Sequence, residues 1–222
     1  MSSSPVARVA GLLFDLDGTL VDSAPAICDA AAASLTALGH PVGPDDIRPH
    51  LGAPLAELYE LFVGDANEER LQTFVAGYID AHDRHALATP TILPGVVEGL
   101  EVLKAGLGLP FAVATTKPTD RARQQLEDTG LLPHFAHVQG TDPGMAPKPA
   151  PDVVEHAARA IEVAPELTWM IGDTERDVRA AIAAGATAVV VAYDEDAQAR
   201  AAGFGADHVI TSLEELPTLL RG

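Results

Sequence analysis

The chain has 222 residues, 47% of them hydrophobic, which suffices for one globular domain or for a core domain that carries a smaller insertion. Its 14 Lys and Arg residues are outnumbered by 32 Asp and Glu residues, so the formal net charge is -18 at pH 7. Such an acidic chain offers no positive field to nucleic acid or anionic lipid, and its hydrophobic content excludes an acidic disordered chain. We therefore expect neither nucleic acid nor a membrane among its partners.

The single cysteine, Cys28, excludes an internal disulfide and a thiolate-caged metal, and so favours a reducing compartment. The first residues contain no apolar export signal, and no run of about 18 uncharged apolar residues occurs in the sequence. The sequence predicts a cytoplasmic protein and leaves monomer and homodimer open.

In chain order, short aliphatic or β-branched runs bounded by Gly, Pro, Asp or Thr predict buried strands. These runs are residues 6–14, 110–115, 137–139, 168–171, 187–191 and 208–210. Helical patterns follow at residues 96–105, 119–129, 151–161, 175–184 and 213–220. Because strand and helix alternate from residue 90 onward, we expect an α/β fold, a doubly wound, Rossmann-like core whose parallel sheet carries helices on both faces.

Residues 22–90 interrupt this alternation, because they contain no convincing strand. Their helical patterns cover residues 24–38, 45–51, 55–62 and 68–86. An all-helical block of this size after the first strand predicts a cap domain. It would be inserted into a core formed by residues 1–21 and 91–222.

Asp15 and Asp17 stand at the end of the first predicted strand, two residues apart. The strand period of two aims both carboxylates the same way, and such a pair is costly unless a cation or a proton lies between them. An ordinary polar turn, Asp-Leu-Asp-Gly-Thr, accounts for the same residues. Like the clusters that follow, this one lies where open parallel sheets bind ligands.

A second acidic cluster follows the strand predicted at 168–171. Asp173 there offers a further hard oxygen ligand at the same end of the sheet. Thr174 and Asp177 have the spacing of a capping box, in which the acid bonds back to the start of its helix. Capping and a functional role both stay open for Asp177.

Two weaker signals lie between these acids. Thr115 and Thr116 close the strand predicted at 110–115, where a hydroxyl and amide donors could hold a phosphate oxygen, although threonine is also common in strands. Lys148 lies between Pro147 and Pro149, which restrict the backbone of its loop.

Taken in order along the chain, these four clusters resemble the haloacid dehalogenase superfamily of phosphohydrolases. The acid pair with its Gly-Thr continuation matches the first family motif, Thr115 the second, Lys148 with its prolines the third, and Asp173 with Asp177 the fourth. The resemblance covers essentially the whole chain. The helical insertion is similar to the small helical cap of that family.

The resemblance implies a magnesium-dependent phosphatase. Asp15 would attack phosphorus and form an aspartyl-phosphate, while Asp17 would protonate the leaving alkoxide and then activate water. The Mg²⁺ ion would bind the carboxylates of Asp15 and Asp173 and the backbone carbonyl of Asp17. Asp177 would hold a metal-bound water or orient Lys148. The phosphate would be bound by the backbone amide of Leu16, which follows Asp15, and by Thr115, Thr116 and Lys148.

Residues that are missing narrow the subclass. Dehalogenases need no acid at Asp17, because halide leaves without a proton. The lysine of the phosphonate-cleaving relatives is absent from residues 22–90, and the segment 26–28 lacks the histidine of the sugar phosphomutases. The sequence is most similar to the phosphoglycolate phosphatase group, although Thr116 stands where that group commonly has asparagine.

The resemblance also implies that the cap selects the substrate. Arg48, close to the predicted specificity loop at Gly52, is our candidate for contact with the distal end of the substrate, and an ordinary solvated arginine explains it equally well. His82 and His85 could share a helix face, but no third ligand completes a zinc site.

We therefore expect a small phosphorylated metabolite as the partner and hydrolysis of a phosphoglycolate-like phosphomonoester as the reaction. Three alternatives stay open on the same scaffold: a sugar phosphomutase, a pyrophosphatase or nucleotide phosphatase, and a non-catalytic module that binds a phosphate compound or a protein. The last is disfavoured because every expected acid, the hydroxyl and the lysine are present.

Overall fold

The computed structural model describes residues 9–85 and 91–221. The chain divides into two compact units, one formed by Met1–Val21 with Ile92–Gly222 and the other by Asp22–Thr91. We call them the core unit and the cap unit. The predicted start of the first strand, at residue 6, and the predicted end of the last cap helix, at residue 86, lie outside the described residues. The side chain of His85 is also outside the described part of the chain.

The core unit contains a six-stranded parallel sheet. The strands of the chain are β1 (Gly11–Phe14), β2 (Val21–Asp22), β3 (Thr91–Ile92), β4 (Phe111–Ala114), β5 (His137–Gln139), β6 (Thr168–Gly172), β7 (Thr187–Val191) and β8 (His208–Ile210). Their order in the sheet is β5-β4-β1-β6-β7-β8, while β2 and β3 pair separately. The predicted parallel α/β sheet is confirmed.

Helices connect the strands in both units. The α-helices are α1 (Ala24–Ala37), α2 (Pro44–Ile47), α3 (Leu55–Val63), α4 (Glu68–His85), α5 (Val96–Leu107), α6 (Thr119–Asp128), α7 (Asp152–Ala160), α8 (Glu175–Ala184), α9 (Glu195–Ala201) and α10 (Leu216–Leu219). Short 3₁₀ turns lie at Arg48–His50, Leu132–His134, Pro165–Leu167 and Leu213–Glu215.

The two faces of the sheet are packed with side chains of different size, because successive residues of a strand point to opposite faces. One face, which we call the large-residue face, packs against α5, α6 and α10 and includes Leu12, Phe14, Phe111, Val113, Trp169 and Ile171. The opposite face, which we call the alanine face, packs against α7 and α8. Its strand residues include Ala112, Ala114 and Ala188 with Leu13, Met170 and Val190, and the facing helices contribute Ala157, Ala158, Ala180 and Ala181. Both hydrophobic layers are buried, so the sheet is covered on both sides.

The structure corrects several predicted elements. Helix α9 was not expected, because its sequence is polar, Ala201 is its one buried residue and no apolar stripe marks it; the Asp194 side chain caps it by accepting from Ala197 N at 2.7 Å. The helix predicted at 213–220 is a 3₁₀ turn followed by α10. Strands β2 and β3 have two residues each, too few to show a period in sequence.

The cap unit has its own hydrophobic core, which includes Cys28, Leu35 and Phe74. Arg70 makes polar contacts within the cap unit: its guanidinium pairs with Asp65 and donates to the Leu38 carbonyl oxygen at 3.3 Å. In the described part of the chain, no helix has both the length and the apolar character of a membrane span.

Candidate active site

Polar residues gather where three adjacent strands of the core unit end. Asp15 follows β1, Thr115 follows β4 and Asp173 follows β6. Strand β1 lies between β4 and β6. After β1 the chain adds β4 and β5 on one side of it, and then β6, β7 and β8 on the other side. Such a reversal opens a crevice at the carboxyl ends of the strands, which is where open α/β sheets bind ligands.

Lys148 contacts residues at these strand ends, and its side chain is only 2% exposed. Its Nζ atom is 2.9 Å from Asp15 Oδ1, contacts Asp177 Oδ1, and donates to the Ala114 carbonyl oxygen at 3.1 Å. The ammonium group therefore joins the ends of β1 and β4 to the first turn of α8. We call Asp15, Lys148, Asp173 and Asp177 the Lys148 cluster.

Asp177 uses its two oxygens for different contacts. Oδ2 accepts from Thr174 N at 3.0 Å and from Thr174 Oγ1 at 2.6 Å, which is the capping arrangement at the start of α8. Oδ1 accepts from Lys148. Asp177 therefore caps its helix and also contacts the lysine, and its functional role stays a prediction.

Asp173 is positioned by the turn that follows β1. Thr19 Oγ1 donates to Asp173 Oδ1 at 3.1 Å, and Tyr193 OH donates to the Thr19 carbonyl oxygen at 2.7 Å. A Cβ atom at Gly18 would lie 2.3 Å from Asp173 Oδ2, and Gly18 has a φ of 83°, so the turn accepts no side chain there. Sequence reasoning named neither Thr19 nor Tyr193 as a site residue.

Burial makes these charges costly. It raises the pKa of Asp15 to about 6, against the opposing attraction of Lys148 and with help from the negative charge of Asp177. Burial followed by the charges of Asp177 and Asp15 raises the pKa of Asp173 well above its usual range. Burial alone would lower the pKa of Lys148, but its two acidic partners outweigh that effect and raise it.

The cluster fits a divalent cation. One carboxylate oxygen from each of Asp15, Asp173 and Asp177 lies within 4.8 Å of the others. Three carboxylates against the single ammonium of Lys148 leave two formal negative charges in a buried site. Apart from its ion-pair contact with Lys148, Asp15 Oδ1 has no hydrogen-bond donor in the described part of the chain. Hard oxygen ligands with a surplus negative charge are what Mg²⁺ and Ca²⁺ bind.

Asp17 lies outside this group of three carboxylates. Its Oδ1 atom is 2.9 Å from Lys117 Nζ and accepts from Gln125 Nε2 at 3.2 Å. Strand β1 ends at Phe14, before both acids, so the strand period does not bring them to a common cation. Asp15 and Asp17 instead have separate lysine partners.

The other expected phosphate-binding residues follow β1 and β4. Thr115 is buried and its Oγ1 accepts from Lys117 N at 3.3 Å, while Thr116 is half-buried. The side chain of Leu16 lies in the hydrophobic core, which leaves its backbone as the part available to a ligand.

Comparison with known proteins agrees with this geometry. The family model described as haloacid dehalogenase-like hydrolase matches residues 12–191. The chain belongs to this family. It is 34% identical over 220 residues to a phosphoglycolate phosphatase of Chromobacterium violaceum, a match that covers 96% of this chain and 97% of the relative. It is 36% identical over 183 residues to a phosphoglycolate phosphatase of Rhodobacter capsulatus, covering 81% and 82%.

A solved structure with a similar fold agrees with this result. The crystal structure of a predicted phosphatase from Clostridium acetobutylicum has a TM-score of 0.86 and 27% identity, and the match covers 96% of this chain and 99% of that one. Membership of the family and similarity to its phosphoglycolate phosphatases are therefore confirmed.

The residues predicted to contact the distal end of the substrate, Arg48 and Gly52, lie in the cap unit, as does the histidine pair considered for zinc. Arg48 Nε is 3.8 Å from Asp45 Oδ1, and the Arg48 side chain is 57% exposed. Gly52, with a φ of 84°, lies in the turn before α3. The ring of His82 stacks on Tyr78 at 5.7 Å. Within the described residues, the one group of three acidic, histidine or cysteine side chains close enough to share a metal is that of the Lys148 cluster.

Proposed function

We propose that this phosphoric monoester hydrolase of the haloacid dehalogenase-like family cleaves a small phosphomonoester, such as phosphoglycolate, with Mg²⁺ and through an aspartyl-phosphate on Asp15. The observation that carries the proposal is the buried Asp15 carboxylate at the end of β1, whose Oδ1 lies 2.9 Å from Lys148 Nζ and which has an oxygen within 4.8 Å of carboxylate oxygens of Asp173 and Asp177. A carboxylate that is fixed beside an ammonium group and a candidate cation site is placed to attack the phosphorus of a bound ester.

In the first step, a carboxylate oxygen of Asp15 forms a bond to phosphorus as the ester P–O bond breaks. The leaving alkoxide takes its proton from the carboxyl group of Asp17. In the second step, Asp17 takes a proton from water as the water oxygen binds phosphorus and the Asp15–phosphorus bond breaks. The products are an alcohol and inorganic phosphate.

The charge that develops on the phosphoryl oxygens needs fixed positive partners. Lys148, the hydroxyl of Thr115, the amide of Leu16 and the Thr116 region are the groups that we assign to them. Asp15 and Asp173, with the carbonyl of Asp17, would hold Mg²⁺, and Asp177 would keep Lys148 in place or hold a metal-bound water. When bound, Mg²⁺ supplies positive charge that offsets the carboxylates and the phosphoryl oxygens.

Phosphate release tests this proposal. Purified protein is offered phosphoglycolate, sugar phosphates, nucleotides and pyrophosphate, with and without Mg²⁺. We expect Mg²⁺-dependent release that is fastest with phosphoglycolate or a similarly small ester, and no release by Asp15→Asn. Turnover by Asp15→Asn would refute the nucleophile, and faster release from nucleotides or pyrophosphate would favour those substrates instead.

The same assay separates the other two alternatives. Interconversion of sugar phosphates without release would indicate a mutase, and absence of any turnover would indicate a binding module. We further propose a cytoplasmic monomer or homodimer, which cell fractionation and size-exclusion chromatography would test.

Substrate choice is assigned to Arg48 and the turn at Gly52. Their support is the Arg48 guanidinium, which is more than half exposed and whose Nε atom is 3.8 Å from Asp45 Oδ1. In Arg48→Ala, the rate with carboxylate-bearing esters should fall relative to neutral ones. If the ratio of the rates with carboxylate-bearing and neutral esters did not change, Arg48 would not contribute to substrate choice. Arg84→Ala is the matched control, because Arg84 also forms an exposed cap ion pair, with Asp80 at 3.0 Å.

A further inference from the structure

Two side chains converge on the same oxygen of Asp17. Lys117 Nζ lies 2.9 Å from Asp17 Oδ1, and Gln125 Nε2 donates to that atom at 3.2 Å. The lysine also donates to Gln125 Oε1, so the three side chains form a closed triangle. We call Asp17, Lys117 and Gln125 the Lys117 clamp.

The clamp is shielded from solvent. Gln125 is 7% exposed, and the side chains of Lys117 and Asp17 are 12% and 21% exposed. Gln125 uses both ends of its amide, accepting from the lysine and donating to the acid, which fixes the orientation of the amide. With both donors on Oδ1, rotation of the Asp17 carboxylate about its last bond costs two hydrogen bonds in a site with little water to replace them.

The backbone of Lys117 is also held in place. Its carbonyl oxygen accepts from Thr141 N at 3.1 Å, and its amide donates to Thr115 Oγ1 at 3.3 Å. A Cβ atom at Gly140 would lie 2.3 Å from the Lys117 carbonyl oxygen, so the turn after β5 packs directly on this peptide. The lysine therefore starts from a fixed point when it reaches Asp17.

We propose that Lys117 and Gln125 are positioning residues that hold the Asp17 carboxyl group for proton transfer to the leaving alkoxide. The proposal rests on the proposed function, in which Asp17 is the acid. A proton donor matters most for a basic leaving group, such as an alkoxide, and least for nitrophenolate, which leaves without a proton. Loss of the clamp should therefore reduce the rate in proportion to the basicity of the leaving group.

The test compares kcat/KM for an alkyl phosphate and for p-nitrophenyl phosphate, because kcat/KM reports the steps up to transfer of the phosphoryl group. For Lys117→Met and Gln125→Leu we expect roughly 10- to 100-fold lower kcat/KM with the alkyl ester, which is less than the full contribution of a general acid because Asp17 itself remains. The loss with p-nitrophenyl phosphate should be several-fold smaller. Gln125→Glu, which keeps the acceptor for Lys117 and loses the donor to Asp17, should show the same selective loss.

The chain offers a matched control for each residue. Gln124 neighbours Gln125 on α6 but bonds to Asp128 at 2.9 Å on an exposed surface, and Lys104 donates to the Pro133 carbonyl oxygen at 2.9 Å. Gln124→Leu and Lys104→Met should leave the ratio of the two kcat/KM values unchanged. Equal losses with both esters in the clamp variants would overturn the proposal, as would a loss confined to carboxylate-bearing esters, which would make Lys117 a substrate ligand.

Asp17→Asn separates the failure of this inference from the failure of the proposed function. If Asp17→Asn shows the leaving-group selectivity and the clamp variants do not, the acid is right and the clamp is wrong. If Asp17→Asn shows no selectivity, the acid assignment itself is refuted, and the clamp with it. In the Asp17→Asn background, Lys117→Met should have no further effect on the ratio, because the two residues act through one group.

Discussion

Two lysines of the core unit contact the acids that follow β1, and their surroundings differ. Lys148 is 2% exposed and lies among three carboxylates, whereas Lys117 is 12% exposed and lies between one carboxylate and a neutral amide. Lys148 is outnumbered by negative charge, so its main effect is to make burial of those acids possible. Lys117 meets a single charge that is partly in contact with water, so its main effect is on orientation. The two lysine–aspartate contacts are similar in length, but Lys148 balances buried charge whereas Lys117 orients the Asp17 carboxylate.

The largest expected effect is that of Lys148→Met. The substitution leaves the buried Asp15 and Asp177 carboxylates without an ammonium group, and removing one partner of a buried pair costs about 3 to 5 kcal/mol. We expect a loss of that size in the free energy of unfolding, measured by urea denaturation at pH 7 without metal, together with loss of phosphatase activity. Lys104→Met serves as the control. An unchanged denaturation midpoint would mean that Lys148 does not balance the buried charge.

The second effect is a pH dependence of the metal-free protein. The pKa of Asp15 is raised from 3.8 to about 6, so between these values the folded state holds a proton that the unfolded state has lost. Stability contributed by this group is therefore present at low pH and declines as the pH rises through about 6. The expected decline is about 1 to 3 kcal/mol, since one pKa unit corresponds to about 1.4 kcal/mol.

Comparison with Asp15→Asn isolates this contribution from those of the other acids. Between pH 4 and pH 7, the variant should gain stability relative to the unmutated protein, and saturating Mg²⁺ should reverse that gain by binding the ionised carboxylate. Parallel curves for the two proteins would contradict the raised pKa.

A smaller effect is expected for Lys117→Met. Asp17 keeps the Gln125 hydrogen bond and partial contact with water, so the loss in unfolding free energy should be about 1.5 to 3 kcal/mol, typical of a hydrogen bond to a charged group. The measurement is urea denaturation under the conditions used for Lys148→Met. If the two lysine variants were equally destabilised, the contrast between charge balance and orientation would be wrong.

The smallest effect is expected for Tyr193→Phe. The substitution removes the 2.7 Å hydrogen bond to the Thr19 carbonyl oxygen and costs about 1 kcal/mol. Because Thr19 in turn holds Asp173, Mg²⁺ should bind this variant more weakly in a calorimetric titration. Unchanged Mg²⁺ affinity would limit Tyr193 to a structural role.

The sheet was predictable because its signal is local. Strands β5, β7 and β8 and helix α8 begin and end at the expected residues, and apolar β-branched residues in β7 and the turn residues around α8 mark two of them. Elements without such a signal were missed. Helix α9 is polar over its length, and strands β2 and β3 are formed by pairing between residues about 70 positions apart in the chain rather than by a local pattern.

The Lys148 cluster was predictable in composition, because its acids and its lysine stand beside strand ends and prolines that a sequence displays. Its depth of burial was not, because a lysine in a proline-rich loop is ordinarily exposed. Gln125 could not be found from sequence. It is one of two adjacent glutamines on α6, and only the packing of that helix decides which of them reaches Asp17.

The alanine face of the sheet makes the site sensitive to distant substitutions. Ala180 and Ala181 are fully buried on α8, the same helix whose first turn carries Asp177. On the large-residue face, a smaller side chain leaves a void that neighbours can partly fill, but on this face a larger side chain has nowhere to go except by lifting the helix. Mutational tolerance should therefore differ between the two faces of the sheet. Larger residues at Ala180 or Ala181 leave every polar group of the site in place, yet they should displace Asp177 from Lys148.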